Sequence, residues 1–268
     1  MAKQPLHPPV GEPVRLADFD PEHHADYEKS GAKELLRAYQ KKTRELQERL
    51  YAEGKQSLLV VFQAMDTGGK DSTIRRVFEG VNPAGVQVTG FKRPTSEELA
   101  HDFLWRIHQH TPPRGYIGIF NRSHYEDVLV VRVNELVPEA VWRARYDHIN
   151  QFEKLLVDNG TRVLKFYLHI SKDEQKQRLQ DRLDDAEKHW KFDIGDLPVR
   201  ERWDEYMRAF EDTLTHCNTT HAPWYVIPAN RKWYRDLAVC RTIAETLEAM
   251  DPQYPPPAPG LEDVVIPD

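Results

Sequence analysis

The chain has 268 residues, of which 40% are hydrophobic and 30% charged, so it can build a packed core and is not a disordered polymer. Its net charge of −6, from 37 basic and 43 acidic residues, argues against a general nucleic-acid coat while leaving room for a local basic groove. Apolar runs such as Leu58 to Phe62 are far too short to cross a bilayer, the opening MAKQPLHPPV lacks the apolar stretch expected of a secretory signal, and Cys217 and Cys240 form no CxxC pair. The expectation is a soluble protein of the reducing cytoplasm, with neither membrane nor nucleic acid as partner.

Residues 30–53 carry Leu35, Leu36, Tyr39, Leu46 and Leu50 near helical spacing, and Gly54 follows as a stop. The run SLLVVFQ (57–63) is continuously apolar, as expected of a strand covered on both faces. A glycine-containing loop and a helix from about Asp71 to Glu79 come next, then a second strand, VQVTG (86–90), and a helix over 96–110. YIGIF (116–120) is the third strand, and Pro138 and Gly160 bound a long helix over 138–159. RVLKFYLHI (162–170) is the fourth strand, after which Ser171 and Glu174 form a capping box. WYVIP (224–228) is the fifth, and a last helix covers 233–250.

Strands alternating with helices predict an α/β fold with a doubly wound, parallel five-stranded sheet, whose ligands sit at the carboxyl ends of the strands. Four of the 19 prolines lie in residues 1–13 and six in 252–268. The predicted organisation is therefore an extended arm over 1–13, one domain over 14–250 and a proline-rich tail over 251–268.

The segment VVFQAMDTGGKDST (60–73) runs from an apolar strand through a glycine pair and a lysine into a helix. Against the phosphate-loop pattern GxxxxGK[ST], Ala64 replaces the first glycine, Gly69 and Lys70 fit, and Asp71 replaces the hydroxyl residue ahead of Ser72 and Thr73. Glycines let backbone N–H groups approach an anion, and lysine adds a point charge at the helix N-terminus. Ala64, Met65, Thr67, Gly68, Gly69, Asp71 and Ser72 are accordingly candidate phosphate or nucleotide contacts. Asp66 is out of place in an anion site unless a magnesium ion lies between it and phosphate, or unless it orients or deprotonates an attacking group; the plain alternative is a turn-forming Asp.

YIGIFNRSHYEDV (116–128) stands where phosphate-loop enzymes place a strand ending in a magnesium-directed Asp. Here the strand ends in Asn121, Arg122 follows, and Glu126 and Asp127 come later, as site residues or as a solvated ion-pair cluster. In SKDEQKQRLQDRLDDAEKHWKF (171–192), Gln175, Arg178 and Arg182 share a helix face and Lys188 and Lys191 extend it, as a lid over a polyanion or as a solvated face. Arg75, Arg76, Lys92 and Arg93 offer further polyanion contacts.

Taken together, AMDTGGKDSTIRRVFEGVNP, FNRSHYEDVLVVRV, SKDEQKQRL, EKHWKF and APWYVIPAN resemble the second family of polyphosphate kinases, from about residue 14 to 250. The resemblance implies a phosphate-loop kinase fold like that of thymidylate kinases, with a helical lid over about 171–192. It also implies magnesium-dependent phosphoryl transfer between inorganic polyphosphate and nucleotides, by a homo-oligomer (dimer or tetramer). The wording FNRSHYEDVLVVRVNELVPE is most similar to the group acting on both AMP and ADP. By the same resemblance Asp66, Lys70 and Arg122 are the catalytic residues and Asp66 and Asp127 the metal-directed ones. The competing readings are an ATP-dependent nucleoside phosphate kinase and a non-catalytic polyphosphate-binding module.

Overall fold

The computed structural model describes residues 6–267. Five strands form one parallel sheet: β1 (Ser57–Gln63), β2 (Val86–Gly90), β3 (Ile117–Asn121), β4 (Thr161–His169) and β5 (Trp224–Pro228), in the order β2-β3-β1-β4-β5. β1 lies at the centre, pairing Leu58 with Ile117 on one side and with Arg162 on the other, and all seven of its residues are buried. That burial explains its unbroken apolar run. β3 and β4 are each displaced by one residue from the expected spans.

Ten α-helices lie among the described residues. They are α1 (Lys29–Glu53), α2 (Lys70–Val77), α3 (Ser96–Leu99), α4 (Trp105–His108), α5 (Val130–Val133), α6 (Glu139–Asp158), α7 (Lys172–Leu183), α8 (Asp196–Glu201), α9 (Trp203–His216) and α10 (Lys232–Met250). Gly54 closes α1 in the left-handed conformation at φ 62, its N–H donating to Leu50 O. The expected helix over 96–110 is instead two short pieces, because the Asp102 carboxylate accepts the Leu104 N–H and makes a turn between them. The expected Ser171–Glu174 box is half made: Ser171 Oγ accepts the Glu174 N–H, while the Glu174 carboxylate is turned to Arg178. The segment 196–216, with α8 and the strongly apolar-faced α9, was not anticipated as helix.

The strand order and the right-handed rule for crossovers fix the layers. The crossover from β1 to β2 runs one way across the sheet and places α2 on the face shared with α1 and α10; those from β2, β3 and β4 run the other way, on the opposite face. Direction reverses between β1 and β3, so the loops leaving these two strands part to opposite faces and open a crevice. The N-terminal segment is docked: Leu6 O accepts the Val226 N–H at 2.6 Å on edge strand β5, and Leu6, Val14 and Leu16 are buried.

Candidate active site

The crevice between β1 and β3 is where the phosphate-loop segment lies. Residues 64–69 leave β1, and Lys70 opens α2. Gly69 adopts φ +101, and a Cβ there would collide with the Arg235 guanidinium; at Gly68 a Cβ would come within 2.5 Å of Ala64 Cβ and 2.8 Å of Met65 O. Gly68 is required by the close approach of Ala64 and the Met65 carbonyl, and Gly69 by its left-handed backbone under the Arg235 guanidinium. Thr67, β-branched, is held at φ 62, a conformation that costs of order 1–3 kcal/mol and concentrates at functional sites.

Lys70 is buried, and its ammonium donates to Ala64 O at 2.9 Å and Met65 O at 3.5 Å. Burial, reinforced by the Arg122 guanidinium, pushes its pKa below the ordinary lysine value, against the pull of Asp66, Glu126 and Asp71. Among the described residues, the N–H groups of Gly69, Lys70, Asp71 and Ser72 have no acceptor in the chain. Together with the helix dipole they form an electropositive concavity, the physical requirement for holding phosphate.

Across the crevice, β3 ends in Asn121, whose amide donates to Asp71 Oδ1 at 2.7 Å. The next residue, Arg122, also takes a left-handed φ of 62; its N–H donates back to Phe62 O, and its guanidinium meets Asp66 Oδ1 at 2.7 Å. Asp66, Lys70, Asn121 and Arg122 are thus brought together by two loops more than 50 positions apart in the chain. Glu126 joins them: burial raises its pKa, while the charges of Arg122 and Lys70 lower it. With its amide turned toward that carboxylate, Gln63 donates to Glu126 Oε1 at 3.0 Å and accepts from Ser123 Oγ at 3.1 Å.

Asp127, expected beside Asp66, is placed elsewhere. It pairs with Arg145 at 2.8 Å, and burial, only partly offset by that guanidinium, raises its pKa to about 6. The one-residue step along the turn sends Glu126 to the loop and Asp127 to α6. Among the described residues no group of three or more His, Cys, Asp or Glu side chains forms a metal cage. Mg²⁺ does not need one, because it binds through one or two carboxylates plus substrate phosphates; Asp66 and Glu126, rather than Asp127, are the donors this arrangement provides.

Arg178, expected as an exposed lid cation, is buried: its donors go to Thr67 O at 3.1 Å, Gly68 O at 3.2 Å, Ala229 O at 2.6 Å and Glu174 Oε1 at 2.7 Å. Only its neighbour one turn on, Arg182, faces the lid, bonding Lys191 O at 2.7 Å and lying 3.6 Å from Asp196. Asp196 was missed from sequence; burial, with Asp66 nearby, raises its pKa to about 6. Lys188 pairs with Asp185 at 2.7 Å, and the Lys191 ammonium sits over the Trp190 ring, which is 79% exposed. Lys92 and Arg93 are exposed just beyond the carboxyl end of β2, on the site's edge of the sheet. Arg75 and Arg76 belong to the last turn of α2, away from the loop, and Arg76 pairs with Glu79.

Arg235 of α10 was also missed. It is buried beneath Gly69, donates to Ser72 Oγ at 3.2 Å, and is neutralised by Asp236 at 2.7 Å. Lying 163 positions from Ser72, it leaves no local signal beyond its place in an apolar helix.

Residues 26–255 match the family model described as Polyphosphate kinase 2 (PPK2). The chain is 56% identical over 253 residues to the AMP/ADP-polyphosphate phosphotransferase of Meiothermus ruber, covering 94% of this chain and 95% of that protein. To the ADP-polyphosphate phosphotransferase of Rhodopseudomonas palustris it is 45% identical over 263 residues, 93% of this chain and 91% of that protein. The crystal structure of polyphosphate kinase 2 from Arthrobacter aurescens TC1 superposes with a TM-score of 0.91 at 44% identity, over 94% of this chain and 90% of that one.

Proposed function

This chain belongs to the polyphosphate kinase 2 family, and on that premise we propose that it transfers a phosphoryl group from inorganic polyphosphate to AMP and ADP, reversibly. The observation that carries this reading is the meeting, at the β1–β3 crevice, of a lysine-bearing phosphate loop with Arg122 and Asp66. The bond broken is a terminal phosphoanhydride of polyphosphate, and the bond formed joins the same phosphorus to a terminal oxygen of the nucleotide. That oxygen already carries negative charge near neutral pH, so no strong base is required. Positioning and charge neutralisation are what the protein must supply.

Lys70 and the N–H groups of Gly69 to Ser72 hold the phosphates of one substrate. Arg122, half-exposed at the crevice, stabilises the charge on the transferring group. The Asp66 carboxylate holds Arg122 in place before substrate arrives. Asp66 and Glu126 would hold a magnesium ion, which when bound would supply charge neutralisation between the two polyanions. Arg182, Lys188, Lys191, Lys92 and Arg93 are the cations we assign to drawing the polyphosphate chain in. We further propose that the protein works in the cytoplasm as a homo-oligomer; no helix among the described residues is long and apolar enough to cross a membrane.

Product analysis with AMP, ADP, GMP and GDP, each with polyphosphate and magnesium, tests the proposal. The expected products are ADP and ATP. Turnover with ATP as donor and none with polyphosphate would assign the site to an ordinary nucleoside phosphate kinase, and absence of both would leave a binding module.

A further inference from the structure

An anion-binding loop works only if its carbonyl oxygens are turned away from the anion and kept there. In this chain all six carbonyls of residues 64–69 are engaged. Ala64 O and Met65 O take the Lys70 ammonium, and Gly69 O takes Ser72 Oγ at 2.9 Å. The middle three are held from outside the loop: Asp66 O accepts from Gln175 Nε2 at 3.0 Å, and Thr67 O and Gly68 O accept from Arg178 Nη1. Both donors lie on α7, the helix that leads into the lid.

The return side of the lid reaches the same place. Arg200 of α8 donates to Gln175 Oε1 at 3.0 Å and to Lys172 O at 2.6 Å. Arg178 also fastens the loop after β5 through Ala229 O and Asn230 O, while Ser171 N donates to Asn230 Oδ1 at 3.0 Å. The outgoing stem of the lid therefore bonds the main chain of Asp66, Thr67 and Gly68 directly, next to the strained φ of Thr67, and the returning stem braces it through Gln175.

We propose that Gln175, Arg178 and Arg200 are positioning residues that couple the lid to the phosphate loop: they contact no substrate, and they hold the loop carbonyls back so that its N–H groups and the Asp66 carboxylate face the reacting phosphates. The proposal rests on the phosphoryl-transfer reading and adds to it that Arg178 acts on the loop and not on polyphosphate.

The two roles differ in salt dependence. A cation that touches polyphosphate contributes to the fall of affinity with salt, by the counterion argument developed for nucleic acids, and one that touches only carbonyls does not. Arg178→Ala, Arg178→Lys and Gln175→Ala are compared with wild type for kcat, both KM values, and polyphosphate KM against ionic strength. The expected result for Arg178→Ala is a kcat loss of about a hundredfold, the scale of a misplaced reacting group, with the wild-type salt slope retained. Arg178→Lys should rescue only in part, because one ammonium cannot span several carbonyls in the guanidinium's fork geometry. Added guanidinium ion should restore Arg178→Ala relative to sodium at equal ionic strength, since the vacated site is buried and built for that ion.

A raised polyphosphate KM with a flattened salt slope would make Arg178 a substrate contact and overturn the proposal, as would wild-type kcat. If Arg178→Ala fails to fold, Gln175→Ala decides: it loses the hydrogen bond to Asp66 O and the one received from Arg200, and wild-type kcat in a folded variant overturns the coupling. Inactive wild-type protein would instead defeat the phosphoryl-transfer reading itself.

Discussion

The division of labour between Glu126 and Asp127 turns on one step along a short turn. Glu126 faces Lys70 and Arg122, whereas Asp127 is tied to Arg145. Glu126→Gln is therefore expected to shift the magnesium concentration giving half-maximal turnover, and Asp127→Asn is not; a magnesium titration of both variants checks this, and the opposite pattern would restore Asp127 as the metal-directed group. His169, at the end of β4, shows another residue-scale effect. Burial pushes its pKa down to about 4, against the Phe19 carbonyl and Asp20. Between pH 6.5 and 4 the unfolded chain then binds more protons at this position than the folded one, so its contribution to stability falls as pH drops through that window. At 1.36 kcal/mol per pKa unit the loss approaches about 3 kcal/mol. Denaturant melts at pH 4.5 and 7.5 should differ less for His169→Gln than for wild type.

At the scale of elements, a buried ion pair fixes the turn that carries Arg122 and Glu126. Lys165 of β4 and Glu153 of α6 are both fully buried and meet at 2.6 Å. The Lys165 ammonium also donates to Tyr125 OH at 2.8 Å and Cys217 O at 2.7 Å, and Tyr125 OH donates to Glu153 at 2.7 Å. Four elements are joined at one point: β4, α6, the turn after β3, and the end of α9. Such pairs add little net stability, but breaking one leaves an uncompensated charge inside. Lys165→Met is expected to cost about 3–5 kcal/mol in denaturant melts, and Lys165→Met with Glu153→Leu to cost less than the single change. A single variant as stable as wild type would show that the pair is dispensable.

At the scale of the whole molecule, the N-terminal segment closes the sheet. β5 is an edge strand, and an open edge invites pairing with another chain. Leu6 O occupies the Val226 N–H, Asn218 Nδ2 donates to Pro8 O at 2.9 Å, and Leu16 N donates to Glu211 at 2.7 Å. Removing residues 1–13 uncovers this edge and exposes the packing site of Leu6, worth about 2 kcal/mol of apolar burial. The truncated chain is expected to melt lower and to scatter light at concentrations where the full chain does not. An unchanged melting temperature would make the arm ornamental.

The parts of this protein that depend on neighbours in the chain were legible from sequence. The apolar run of β1, the Gly54 stop and the glycine–lysine loop are local consequences of burial, backbone freedom and charge, and they appear at the positions expected. The helix over 96–110 misread the local competition at Asp102, whose side chain offers the backbone a turn in place of a helical bond. The site itself needed the fold. Spacing puts Arg178 and Arg182 on neighbouring turns, but whether a guanidinium faces solvent or a loop carbonyl 111 positions away depends on how α7 packs, and periodicity carries no such information. The same holds for Arg235 under Gly69 and for Asp196 near Asp66. Sequence determined which chemistry was available; the crossover at β1 and β3 decided which charges meet, because it alone brings distant loops to one crevice.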